Sequence, residues 1–97
     1  MLVHTVLLKF STDTSEDHLD RVCDSLRGLP AVIPTLVSYR VGRDLGLAED
    51  NFQIAVVAEF ADEAGYVAYR DDRTHRSIIT EQIQPHLVAR SASQFQT

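Results

Sequence analysis

The chain has 97 residues, 44% of them hydrophobic and 24% charged, with one cysteine, Cys23, and a formal net charge of −5; this bounds it to a single domain, residues 1–97, built on one small core. Nine Lys and Arg scattered among fourteen Asp and Glu leave no electrostatic footprint for a phosphate backbone, so no nucleic-acid partner is expected, and a lone cysteine excludes an internal disulfide and a Cys-based zinc site. The first ten residues have no basic region and too short an apolar run for a signal peptide or a membrane span, so a cytoplasmic protein without a membrane partner is expected.

Leu2, His4, Val6, Leu8 and Phe10 alternate with Val3, Thr5, Leu7 and Lys9, the period of a strand, and both faces are largely apolar, as in a central strand. From Asp13 the period changes. Asp13 and Glu16 have the spacing of a capping box, and Leu19, Val22, Cys23 and Leu26 form the inner stripe of a helix that Gly28 ends. The prolines of Leu29-Pro30-Ala31-Val32-Ile33-Pro34 forbid regular structure, while Val32 and Ile33 call for packing onto the core. A second strand is predicted over residues 35–43, with Val37, Tyr39 and Val41 on its apolar face, and a polar turn over residues 44–51. Phe52, Ile54, Val56, Ala58 and Phe60 then alternate with Gln53, Ala55, Val57 and Glu59 to give a third strand.

Asp62 is a good N-cap for a helix over residues 63–69 that sets Tyr66 and Tyr69 on one face. The charged run Arg70-Asp71-Asp72-Arg73 breaks that helix. Ile78, Ile79 and Ile83 resume an apolar face beyond His75, which puts His75 at the entrance of a second helical segment. Pro85 ends this segment near Gln84, and a last strand is predicted over residues 86–96 with Leu87, Ala89 and Phe95 turned inward. The order is that of a ferredoxin-like α+β fold, βαββαβ, with a four-stranded antiparallel sheet. Its helices cover only one face. The other carries Val3, Thr5, Leu7, Ala55 and Val57, an apolar patch most simply covered by the same face of a second copy in a homodimer.

The chemistry is expected where the last helical segment breaks. Tyr69 and His75 can face one cavity, offering a phenol that donates to a carbonyl and an imidazole that exchanges a proton near neutral pH; the plain alternative is a tyrosine at the core edge and a histidine facing solvent. Burial would lower the His75 pKa and Asp71 or Asp72 would raise it, leaving it near neutrality. His4 shares a strand face with Leu2, Val6 and Leu8, so it is either a core histidine satisfied by a backbone carbonyl or a second proton carrier. Val22, Cys23 and Leu26 are expected to face Ile54 and Val56 across a substrate pocket, with Cys23 as small apolar lining. His4 and His75 make an incomplete metal pair, no Gly-rich phosphate loop is present, and neither a metal nor a cofactor is expected. Arg70, Arg73 and Arg76 frame His75 and could attract an acidic substrate, but they read first as a solvated, salt-bridged rim.

Four segments carry a family resemblance: His4-Thr5-Val6-Leu7-Leu8-Lys9-Phe10, the Leu29 to Pro34 connection, Gly42-Arg43-Asp44, and Tyr69 followed six residues later by His75. In their order and spacing the chain resembles, over nearly its whole length, the stress-responsive A/B barrel (Dabb) domains, a family that includes olivetolic acid cyclase, a plant enzyme that closes a linear polyketide by an aldol condensation. The resemblance implies a homodimer forming an α/β barrel, with a hydrophobic pocket between sheet and helices. Tyr69 and His75 match the tyrosine and histidine that serve such a cyclase, and His4 matches its first-strand histidine. The function implied is that of a cofactor-free acid/base enzyme of polyketide-cyclase type acting on a hydrophobic, polyketide-like small molecule. The alternatives are a non-catalytic stress-response binding or assembly protein and a monooxygenase of the same fold, although the latter often uses a tryptophan and this chain has none. The chain departs from the family's His-Pro-x-His pattern at Asp72-Arg73-Thr74-His75. Ile54 stands where the cyclase has another histidine, and Ser93, or Gln94 with a one-residue shift, stands where an acidic residue would orient the catalytic histidine.

Overall fold

The computed structural model describes residues 1–97. Four strands, β1 (Leu2–Phe10), β2 (Ser38–Arg43), β3 (Ile54–Phe60) and β4 (Leu87–Gln96), form one antiparallel sheet in the order β2-β3-β1-β4. Helix α1 (Glu16–Arg27) joins β1 to β2, and α2 (Glu63–Asp71) with α3 (Arg73–Ile78) joins β3 to β4. This is the ferredoxin-like βαββαβ arrangement, and β1 is central, as its two apolar faces require.

The inner face of β1, with Val6, Leu8 and Phe10, meets Val56, Ala58 and Phe60 of β3 and the buried stripe of α1, Leu19, Val22, Cys23 and Leu26, in one core. Arg27 of α1 donates from Nε and Nη2 to the Val41 carbonyl at 3.2 and 2.9 Å, tying that helix to β2 at the sheet edge. The cap of α1 is Ser15, whose hydroxyl accepts from the His18 N–H at 3.1 Å. Asp13, expected in that role, instead accepts from the Ser11 hydroxyl at 2.6 Å. Strands β2 and β3 start later than the alternation suggested. The Thr35 hydroxyl is turned to the Gly65 carbonyl at 2.9 Å, and Gln53 is used as a clamp, its N–H on the Leu8 carbonyl at 3.0 Å and its Oε1 on the Phe10 N–H at 2.8 Å.

The largest correction concerns β4. A register shift between Lys9 and Phe10 pairs Phe10 with Leu87 but Lys9 with Ala89 and Val3 with Phe95. Cross-strand partners share a face, so Leu87 points inward as expected, whereas Ala89 and Phe95 lie on the open face beside Val3 and Leu7, and Phe95 is 51% exposed. The inner face of β4 carries Arg90, Ala92 and Gln94 instead, opposite Leu8, Val6 and His4. No helix is long and apolar enough to cross a membrane.

Candidate active site

Asp72 creates the local geometry of the site. Its extended backbone (φ −59°, ψ 136°) ends α2, and its carboxylate accepts from the His75 N–H at 3.1 Å to start α3. One helix ends and the next begins at this residue. The His75 ring is thereby stacked on Tyr69 of the preceding helix, with centroids 4.1 Å apart and planes 28° apart. Both rings line a cavity of about 350 Å³ between the sheet and the helices α2 and α3. His4 enters from β1, its ring 6.1 Å from Tyr69 and 5.0 Å from Tyr66. His4, Tyr69 and His75, from three separate elements, therefore line one space.

The expected apolar wall is only partly there. Leu26 and Val56 line the cavity, with Leu8 and Ile83. Val22, Cys23 and Ile54 are not part of its lining; they are almost fully buried in the solid core, at 0%, 1% and 0% exposure. The helical stripe gives their inward direction correctly, but they pack within the core cluster. Burial also pushes the Cys23 thiol up, away from nucleophilic reactivity.

His4, Tyr69 and His75 each have a polar partner. The Nδ1 of His75 faces the Arg70 carbonyl at 3.4 Å, which makes Nδ1 the protonated nitrogen and leaves Nε2 without a protein partner. Gln94 donates from Nε2 to Nδ1 of His4 at 2.8 Å, so the His4 proton is on its own Nε2. Gln94 therefore orients His4, while a backbone carbonyl orients His75. The Tyr69 hydroxyl is 3.0 Å from the Tyr39 hydroxyl, a partnership that the apolar alternation of β2 concealed. Arg90 and Tyr66 also line the cavity; an inward set of Leu87, Ala89 and Phe95 on β4 leaves Arg90 on the other face, whereas its pairing with Leu8 turns it inward.

Burial lowers the His75 pKa below its ordinary value, only partly offset by the carbonyls of Arg70 and Tyr69. Asp71 is turned away to Arg70, at 2.9 and 3.1 Å, and Asp72 is the smallest of the influences on the ring, so the net direction is downward. His4 is pushed down to about 4, first by burial and then by the charges of Arg90 and His75. Tyr69 is raised, chiefly by burial. At neutral pH the site thus holds two neutral imidazoles and a protonated phenol. No three His, Cys, Asp or Glu side chains converge as a metal-binding group.

The sequence matches the family described as Stress responsive A/B Barrel Domain over residues 2–96. The chain belongs to this family. A dimeric ferredoxin-like protein of unknown function from Thermobifida fusca is 38% identical, with a TM-score of 0.90 over 99% of this chain and 90% of that one. A Dabb family protein from Mesorhizobium loti is 18% identical, with a TM-score of 0.81 over 99% and 95% of the two chains. A hydroxynitrile lyase from Passiflora edulis is 17% identical, with a TM-score of 0.82 over 97% and 90%; at such identities the likeness is one of fold. No curated protein matches the chain.

Proposed function

We propose that this protein is a cofactor-free acid/base enzyme that enolises a hydrophobic carbonyl compound and closes it by an aldol-type step, as a polyketide cyclase does. One observation carries the reading: a buried His75 held as the Nδ1–H tautomer, its Nε2 unpartnered, in a ring that stacks on Tyr69 and lines an apolar cavity. A hydroxynitrile lyase on the same fold supports a catalytic use of this scaffold.

The His75 Nε2 takes a proton from the carbon next to a carbonyl, and the electron pair moves to the carbonyl oxygen. In this reading Tyr39 donates to the Tyr69 oxygen, which leaves the Tyr69 proton to hydrogen-bond that enolate, and the His4 Nε2–H is a second donor. The enolate carbon then attacks a second carbonyl of the same molecule to form the carbon–carbon bond. The resulting alkoxide recovers the proton from the His75 imidazolium, so protons and charge balance and no redox partner is needed.

The working unit in this reading is a homodimer formed by the open sheet faces, an α/β barrel. The dimeric relative from Thermobifida fusca supports it, as does the exposed apolar surface of Leu7 and Phe95 on that face. The acid/base reading is tested by exchange of the carbon-bound hydrogens of methyl 3-oxooctanoate with deuterium oxide. Acceleration above buffer that depends on His75 supports it; a rate equal to buffer in the folded protein overturns it in favour of a binding or assembly role.

A further inference from the structure

We infer that the cavity takes an amphipathic carboxylate, its apolar body lying along Leu8, Leu26, Val56 and Ile83 and its carboxylate held between the guanidinium groups of Arg76 and Arg90. This rests on the active-site reading above and adds the chemical class of the molecule bound there.

The distribution of charge points to it. The chain has fourteen acidic residues against nine Lys and Arg, yet the cavity is lined by Arg70, Arg76 and Arg90 and by no Asp or Glu. Arg70 is already neutralised by Asp71 through two hydrogen bonds. Arg76 and Arg90 are not: the four ion pairs of the structure involve Arg27, Arg43 twice and Arg70. In a chain of net charge −5, two arginines at one cavity have been left without carboxylates.

They also stand on different walls. Arg76 comes from α3, and Arg90 from the inner face of β4, where it pairs with Leu8. Both are exposed side chains that line the cavity together with His4 and His75, close enough for the charge of Arg90 to act on His4 and that of Arg76 on His75. The charged part of the lining is thus cationic and most of the rest apolar. Guanidinium groups match a carboxylate through paired N–H donors. A volume of about 350 Å³ lies at the low end of the roughly 300–1,000 Å³ of ligand sites, which suits a medium-length acid better than a bulky cofactor.

The test is calorimetric titration of the full chain at pH 7 with octanoate, 1-octanol and octyl phosphate. Octanoate is expected to bind roughly tenfold or more tightly than 1-octanol, as a charge-assisted contact provides. That preference should shrink in 1 M salt and approach parity in the Arg76→Gln/Arg90→Gln double variant, with 1-octanol binding unchanged as the check that the cavity is intact. If the double variant does not fold, each single variant and the salt dependence of the unaltered protein give the same reading. Equal affinities for octanoate and 1-octanol, or a preference insensitive to salt and to both arginines, overturn the inference and leave the acid/base reading standing. Tighter binding of octyl phosphate than of octanoate overturns the carboxylate head. Binding of neither octanoate nor 1-octanol overturns the inference, and the exchange assay then judges the acid/base reading separately.

Discussion

The imidazole of His75 lies on the phenol ring of Tyr69, centroids 4.1 Å apart, while its Nδ1 faces the Arg70 carbonyl. Burial removes water from the charged form of the histidine more than the carbonyls of Arg70 and Tyr69 compensate, and the pKa falls. In an NMR titration His75 should be half-protonated below pH 6.5, and His4 near pH 4. Enolisation should then rise with pH through a titration below 6.5, stay level across neutrality, and fall only as Tyr69, itself raised by burial, ionises. A His75 that titrates above 6.5 would contradict this.

The same histidines make stability depend on pH. The folded state holds His4 near 4 against 6.5 in the unfolded chain, so between these values the unfolded state binds more protons and stability rises with pH. The contribution is complete above pH 6.5 and is lost as pH falls toward about 4; His75, lowered as well, acts with the same sign. Calorimetry should show the unfolding midpoint dropping between pH 7 and pH 5, with a shallower drop in His4→Asn. A midpoint that is flat over this interval, or that rises, would be the wrong sign.

Leu26 and Ile54 separate the cavity wall from the solid core. Both are almost fully buried, but only Leu26 lines the cavity. Leu26→Ala merges its void with existing space and should cost about 2–3 kcal/mol, whereas Ile54→Ala opens a new void and should cost about 3–5 kcal/mol. Chemical denaturation gives both values. Only Leu26→Ala should also change the affinity for an alkyl ligand, and the reverse pattern would relocate the pocket.

Val57 lies on the open sheet face, opposite Thr5 on β1 and Arg40 on β2. If two such faces meet over the roughly 2,000 Å² or more of an obligate dimer, Val57→Arg buries an uncompensated charge beside Arg40 and should give a monomer with a lowered unfolding midpoint. Sedimentation of the unaltered protein as a folded monomer at micromolar concentration would refute the dimer.

Strands β1 and β3 were legible because one side chain in two is apolar and meets the core, and His75 was rightly set at a helix start because Asp72 both stops and caps. The face of β4 was not legible. Its residues are nearly all exposed, so their polarity carries no alternation, and the register shift at Lys9 and Phe10 comes from pairing with β1. That error hid Arg90 and made the role of Gln94 unreadable. Val22, Cys23 and Ile54 show a second limit, since periodicity tells which way a side chain points but not whether the space it meets is filled. The Tyr39 hydroxyl shows a third: an aromatic on an apolar strand face looks like packing until its partner across the fold is known.

The most direct measurement is the rate of deuterium exchange into methyl 3-oxooctanoate at pH 7, compared between the unaltered protein, His75→Ala and Tyr69→Phe, with each fold verified by circular dichroism. Loss of a positioned general base is expected to slow exchange roughly 10²–10⁴-fold in His75→Ala, and loss of the enolate donor to slow it somewhat less in Tyr69→Phe. A folded His75→Ala that exchanges as fast as the unaltered protein would contradict the account and make His4 the next base to test.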